Sequence, residues 1–320
     1  MLRFLSILYA AAVNARNTLY DRGILRTYKT PLVVVSIGNI EAGGTGKTPF
    51  AVAISSELSR RGLKVAIVTR GYRGSLTGPI IVERRHTVEE AGDEAVLMAR
   101  SVDVPVIKSP DRVSGALFAH NRLGSEVVVL DDGFQHRRLH RDLDIVLASR
   151  DITRESMLPA GPLREPASSL GRADIIVAMK GAPHEGPHAD LRPVCLVDPK
   201  GETRDLRPLS GQKALAFCGI GRPSHFFAMA ESLCMSVERI SFRDHHVYGR
   251  ADIMEIMDKA AGKDIIITTE KDLMKIDPVW FGSLAERLFA VRVALDMPEL
   301  GKIADEIEHL ARDRRVPGQG

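Results

Sequence analysis

Short runs of Val, Ile and Leu recur along the chain, separated by segments whose apolar residues fall at helical spacing. Leu32–Ile37, Lys64–Thr69, Val104–Ile107, Glu126–Leu130, Asp144–Ala148 and Asp174–Ala178 are nearly continuous in apolar character. Strands covered on both faces read this way, because neither face meets water. Helical patterns such as Pro49–Arg61 and Glu89–Ser101 lie between them. This alternation predicts right-handed crossovers and an α/β fold with a mainly parallel sheet. From Gly181 to Gly211 the chain turns to Gly, Pro and polar residues, with one short apolar run at Pro193–Val197. The shift predicts a domain boundary near residue 210. Beyond it a second, smaller α/β domain is expected, with strands Ala214–Cys218, Glu238–Phe242, Asp264–Thr268 and Leu288–Leu295. Its helices are predicted from Ser224, over Ala251–Ala261 and over Glu299–Arg312. The expected organisation is therefore an N-terminal helix over 1–30, a core over 31–210 and a C-terminal domain over 211–320.

At the N-terminus Met1, Phe4, Leu5, Leu8, Tyr9, Ala12 and Val13 recur at helical spacing, while Arg3, Ser6, Asn14 and Asn17 fall largely elsewhere on the wheel. The pattern predicts an amphipathic helix with a basic tail. Residues 1–30 hold five bases (Arg3, Arg16, Arg22, Arg26, Lys29) against Asp21, more positive charge than the +3 of the whole chain. Two readings stand. The helix docks on the protein's own core, or it lies on an anionic membrane surface with its bases near headgroups. A secretory signal is set aside, because the domain that follows reads as a user of nucleoside triphosphate.

Composition narrows the class. With 44% hydrophobic and 27% charged residues in 320, the chain is globular, not collagen, coiled coil or disordered. No apolar stretch reaches the roughly 20 residues a spanning helix needs. A net charge of +3 asks for no nucleic acid partner. Cys195, Cys218 and Cys234 form no C-x-x-C pair, so neither a disulfide framework nor a zinc site is expected.

The strongest chemical signal follows the strand Leu32–Ile37: Gly38-Asn39-Ile40-Glu41-Ala42-Gly43-Gly44-Thr45-Gly46-Lys47-Thr48, then a helix. Glycines let successive backbone N–H groups turn inward on phosphate oxygens, the helix start adds positive potential, Lys47 a point charge, and Thr48 a hydroxyl for Mg²⁺. Residues 41–48 are thus the expected nucleotide loop. The usual G-x-x-x-x-G-K-[ST] pattern wants Gly where this chain has Glu41, so the turn is expected to shift onto Gly43 and Gly44. Asp131-Asp132-Gly133 ends the strand Glu126–Leu130, where acids beside a phosphate loop hold Mg²⁺ or its waters. The N-K-x-D reader of guanine is absent, and Thr269-Glu270-Lys271-Asp272 has other spacing, which leans the reading to ATP. His136 and His140 stand four apart but have no third ligand, so zinc is not expected there.

Taken together, Gly43-Gly44-Thr45-Gly46-Lys47-Thr48-Pro49, Thr69-Arg70-Gly71-Tyr72, Gly92-Asp93-Glu94, Asp131-Asp132-Gly133-Phe134-Gln135-His136, Leu158-Pro159-Ala160-Gly161-Pro162-Leu163-Arg164-Glu165 and Thr268-Thr269-Glu270-Lys271-Asp272 resemble the tetraacyldisaccharide 4′-kinase (lipid A 4′-kinase) family. The resemblance implies a P-loop NTPase-like core with a smaller C-terminal α/β domain. It implies transfer of the ATP γ-phosphoryl group, with Mg²⁺, to the 4′-hydroxyl of a lipid-linked disaccharide 1-phosphate at the cytoplasmic face of the inner membrane. A lipid substrate favours the interfacial reading of the N-terminal helix. Carried onto this chain, the family motifs make Asp93 the base and His245 its partner, with neighbouring His246 as an alternative. They make Thr48, Asp131 and Asp132 the metal ligands. Arg70, Arg73 and Arg164 become phosphate clamps, since a guanidinium fork matches phosphate. Glu94, Gln135, His136 and Glu165 become substrate or supporting residues.

Three other readings compete. Gly219-Ile220-Gly221-Arg222-Pro223-Ser224 half-matches a dinucleotide turn but lacks its third Gly, and no strong ribose acid is identifiable, Asp244 sitting about 25 residues on. A MinD-like nucleotide switch shares the phosphate loop and amphipathic helix, but needs no hydroxyl acceptor. Another small-molecule P-loop kinase fits the composition equally well.

Overall fold

The computed structural model describes residues 1–152 and 155–315. The chain divides into two compact units, one of Met1–Asp190 with Leu295–Gly320 and one of Leu191–Ala294.

The first unit opens with helix α1 (Leu2–Asp21) and strand β1 (Val33–Gly38), then α2 (Lys47–Arg60), β2 (Val65–Thr69), the short β3 (Ile80–Ile81), α3 (Val88–Ala91) and α4 (Asp93–Ser101). β4 (Val106–Lys108), α5 (Arg112–Leu123), β5 (Val127–Asp131), β6 (Leu143–Ala148) and β7 (Ile175–Met179) follow. The strands lie in the order β3-β4-β2-β5-β1-β6-β7, parallel except for the β3–β4 pair. Every residue of β1, β2 and β5 is buried, as their unbroken apolar runs require. Val34, Ala66, Val68, Val128 and Leu130 pack with Val113, Ala116 and Ala119 of α5. Their alternate neighbours Val33, Val35, Ile67 and Val129 are buried as well, and α2, α4 and α9 (Leu300–Arg315) supply contacts to β1, β2, β4 and β5.

The second unit is also parallel α/β. It holds β8 (His188–Val197, which begins in the first unit), β9 (Thr203–Arg204), β10 (Lys213–Cys218), α6 (Pro223–Leu233), β11 (Ser236–Ser241), α7 (Arg250–Lys259), β12 (Ile265–Thr269), α8 (Glu270–Leu273) and β13 (Leu288–Asp296). The order β11-β10-β12-β13 is parallel throughout, with α6 packed on Ala214, Ala216 and Cys218 and α7 on Leu215 and Phe217.

Three boundaries differ from the sequence expectation. The chain enters the second unit at residue 191 instead of near 210, because Pro193–Val197 is part of β8 and not of a linker. The C-terminal helix belongs to the first unit. Ile303, Ala304, Ile307 and Ala311 of α9 are buried, α9 packs on α2 and β1, and Arg61 bonds to Asp305 at 2.5 Å and to the Gly301 carbonyl at 3.0 Å. The N-terminal segment is likewise part of the first unit and not a separate element.

Candidate active site

The phosphate loop runs from the end of β1 to the start of α2. Gly43 (φ 101°) and Gly46 (φ 87°) take the left-handed backbone the turn requires, and Gly46 caps α2. The turn thus rests on Gly43 and Gly46, whereas Gly44 was the expected second position. Thr45 is buried and its Oγ1 accepts from Asn39 Nδ2 at 2.8 Å. The segment 158–165 braces the loop from outside: Ala42 N donates to Pro162 O at 2.7 Å and Arg164 N to Ile40 O at 2.7 Å.

The Glu41 side chain is engaged outside the loop. Its buried carboxylate accepts from Ser149 N (2.9 Å) and Ser149 Oγ (2.7 Å) and pairs with Arg150 Nε at 3.0 Å. Only its backbone belongs to the loop, where its carbonyl accepts from Arg164 Nε at 3.1 Å. The side chain bolts the loop to the turn after β6.

β5 is paired with β1, which brings the acids of its C-terminal end beside the loop. Thr48 Oγ1 lies 3.5 Å from Asp131 Oδ1, and Thr69 Oγ1 donates to Asp131 Oδ2 at 3.3 Å. Lys47 Nζ lies 3.5 Å from Asp132 Oδ1. Arg164 forks onto Asp132 at 3.0 and 2.9 Å and also reaches Asn39 Oδ1. The two acids carry opposite shifts. Burial, with the negative charges of Glu94 and Asp132, pushes Asp131 up to about 7. Burial also works against Asp132, but Lys47 and Arg164 outweigh it and hold that carboxyl well below its ordinary range. Hydroxyl and carboxylate oxygens are the donors Mg²⁺ prefers, so Thr48, Asp131 and Asp132 fit that ion. Among the described residues no group of three or more His, Cys, Asp or Glu side chains forms a metal cage.

Asp93 is the first residue of α4 and only 4% exposed. The single helix expected over 89–101 is broken at Gly92 (φ 93°), so α3 ends and α4 begins anew at Asp93. Thr87 and Glu90 form the capping box of α3, Gly92 is the N-cap of α4, and Asp93 Oδ1 accepts from Glu94 N at 2.9 Å. Asp93 is therefore not an N-cap. The next residue of α4, Glu94, adds its negative charge to those that raise Asp131.

Other expected residues are placed differently. Gln135 Nε2 donates to Asn39 O at 2.8 Å, a scaffold contact of the loop. Burial and the charge of Arg112 press His136 down to about 4. Glu165 is turned to α1: Asn17 Nδ2 donates to it at 2.8 Å and Arg172 NH2 pairs with it at 2.5 Å. Through its Oε2 it anchors a helix. Arg70 and Arg73 are exposed on the turn after β2, with Arg73 at φ 62° and stacked over Tyr72. In the second unit His245 stands at φ 55°, its ring Nε2 3.5 Å from Lys271 Nζ, while His246 pairs with Asp252 at 3.0 Å. The Gly219 turn does not offer its amide to a dinucleotide. Gly219 N donates to the buried Asp272 carboxylate at 3.0 Å.

Two residues escape a reading by motif. Asn39 is fully buried and joins Thr45, Arg164 and Gln135 into one network. Arg112, 5% exposed at the start of α5, senses the charges of Asp132 and Asp131; its NH1 donates to Pro110 O, and its Nε has no hydrogen-bond partner among the described residues. A buried arginine following Pro110-Asp111 at a helix start was the available signal.

A family model described as tetraacyldisaccharide-1-P 4′-kinase matches residues 1–311. The chain belongs to that family. The tetraacyldisaccharide 4′-kinase of Geobacter metallireducens is 39% identical over 301 residues, covering 87% of this chain and 89% of that relative. The corresponding protein of Syntrophus aciditrophicus is 37% identical, covering 99% of this chain and 93% of the relative. The solved structure of LpxK from Aquifex aeolicus, described as a complex with ATP, superposes with a TM-score of 0.76 at 34% identity, over 96% of this chain and 97% of that one. The fold is thus that of a P-loop kinase, and family membership sets aside the dehydrogenase reading that the Gly219 turn had left open.

Proposed function

We propose that this kinase transfers the terminal phosphoryl group of ATP to the 4′-hydroxyl of a tetraacyldisaccharide 1-phosphate. One juxtaposition carries the reading: Lys47 and Thr48 of the phosphate loop stand against Asp131 and Asp132 in a member of the 4′-kinase family. The loop amides and Lys47 grip the triphosphate, which pre-pays the positioning on which phosphoryl transfer depends. Thr48, Asp131 and Asp132 would hold Mg²⁺, which supplies neutralisation of charge on the phosphate oxygens. Asp93 accepts the proton of the sugar hydroxyl as its oxygen bonds to the γ-phosphorus; the bond to the bridging oxygen breaks and ADP leaves. Arg164 fixes the loop and Asp132 together, and Arg70 and Arg73 offer charge to substrate phosphates. His245 is assigned a part in catalysis on the strength of the family motif.

The test is an ATP assay with the tetraacyldisaccharide 1-phosphate acceptor. Asp93→Ala lowers turnover about 10²–10⁴-fold with ATP binding intact. A near-normal rate removes Asp93 from the mechanism, and ATP hydrolysis indifferent to the acceptor favours a nucleotide switch.

The substrate's acyl chains also give α1 a role at a bilayer. Phe4 (64% exposed), Leu8 (52%), Met1, Leu2, Leu5 and Ile7 turn to solvent. An apolar face of this kind, followed by Arg16, Arg22, Arg26 and Lys29, suits a peripheral seat on anionic lipid. The cytoplasmic face of the inner membrane is the place that joins ATP to such a substrate. No helix among the described residues is long and apolar enough to cross a membrane.

A further inference from the structure

Lys108 ends β4 and is 1% exposed, one of the largest fully buried side chains of the protein. An ammonium in such a place is costly unless something specific requires it, and an apolar residue would complete β4 without that cost. Among the described residues its one polar partner is a backbone oxygen: Nζ donates to Glu90 O at 2.9 Å. Among the described residues no carboxylate pairs with it, and burial lowers its pKa.

The path of the side chain is built from glycine. A Cβ on Gly71 would stand 2.5 Å from Lys108 Cγ and Cδ, and one on Gly74 would overlap Nζ itself. The same turn lies against the segment that leads into α4. A Cβ on Gly74 would also meet Gly92 N at 2.7 Å, and one on Gly92 would meet Tyr72 O at 2.5 Å. Ser75 N and Leu76 N donate to Glu89 O and Glu90 O at 2.8 and 3.0 Å. Lys108 therefore passes through the turn that carries Arg70 and Arg73 and fastens to the last turn of α3, three residues before Asp93.

We propose that Lys108 is a positioning residue for the base: its ammonium, threaded through the Gly71–Gly74 turn onto the Glu90 carbonyl, holds the Gly92 break at which Asp93 is presented. The inference rests on the reading of Asp93 as the base. It assigns no contact between Lys108 and substrate. What it explains is why a charge is buried at the end of an edge-side strand, and why the surrounding turn carries glycine where any Cβ would collide.

The experiment is a double-mutant cycle on the full chain with Asp93→Asn, Lys108→Met and the pair, reading kcat, KM for ATP and thermal midpoint. K108M lowers kcat about 10- to 100-fold, as misplacement of a reacting group by an ångström does, and leaves KM for ATP within about twofold. Because Lys108 acts through Asp93, the pair is no slower than D93N alone. Losses that multiply in the pair, or a K108M kcat equal to wild type, overturn the proposal. D93N with a near-normal rate instead overturns the base reading itself, whatever K108M does. Should K108M not fold, Lys108→Gln keeps a polar side chain that is one atom shorter and carries no charge; it gives the same kcat-selective loss, again absent on a D93N background, and a normal K108Q kcat overturns the inference.

Discussion

At the scale of single residues, the site is shaped by which charges are matched and which are not. Glu41 is buried and answered by Ser149 and Arg150 across 108 positions of sequence. Removing it leaves the Ser149 amide without its acceptor and unties the loop from β6. Glu41→Ala is expected to cost about 1–3 kcal/mol in denaturant unfolding and to raise KM for ATP more than it lowers kcat. Unchanged stability and KM would show that the clamp is idle. His136 makes a prediction of definite sign. Its folded pKa is pushed down to about 4 from the ordinary 6.5 by burial and by Arg112. Between those values the unfolded chain takes up a proton that the folded chain refuses, so stability is full above about pH 6.5 and declines as pH falls toward 4. Thermal midpoints measured across that window should fall more steeply in wild type than in His136→Asn; parallel curves would mean the ring is not what titrates.

At the scale of elements, α1 shows how one helix serves two purposes. Its inner face is fixed by polar contacts, with Ser6 Oγ donating to Met157 O at 2.7 Å, Tyr9 Oη to Arg164 O at 3.0 Å and Asn17 to Glu165. Tyr9, Ala10 and Val13 add apolar contact with Ile40, Phe134 and Leu163. Much of the apolar stripe read from the sequence, Met1, Phe4, Leu5 and Leu8, points outward instead. Deleting residues 1–20 would strip the inner contacts as well, so the cleaner probe is Phe4→Glu with Leu8→Glu. That variant should keep the wild-type thermal midpoint while losing co-sedimentation with anionic vesicles. Retained vesicle binding would remove α1 from the membrane reading. The break between α3 and α4 belongs to this scale too. Apolar periodicity runs through Gly92 uninterrupted, and the glycine's left-handed backbone is what ends one helix and starts the next at Asp93.

At the scale of the whole molecule, the first unit is completed by α9, which follows the second unit in sequence. Ile307 of α9 is fully buried against an element some 250 residues earlier, and Arg314 reaches the carbonyls of Thr30 and Leu32 and the carboxylate of Asp142. Ile307→Ala should therefore destabilise the first unit by about 2–5 kcal/mol. A loss confined to a few tenths, seen by denaturant unfolding, would place α9 outside the core. The strands apart from β3, β8 and β9, and the glycine-rich turn between β1 and α2, were legible in sequence, because each is written in neighbouring residues: continuous apolar runs for doubly covered strands, and glycine, lysine and hydroxyl in a fixed order for the turn. The helix α5 and the break between α3 and α4 were not. Tertiary structure alone decided that Glu41 and Glu165 are bolts, that α9 completes the first unit, and that the Lys108 ammonium fastens to the last turn of α3. Those outcomes depend on partners brought together by the fold, 18 residues apart for Lys108 and Glu90 and 108 and 148 apart for Glu41 and Glu165, and no local pattern records which carboxylate or ammonium will find them.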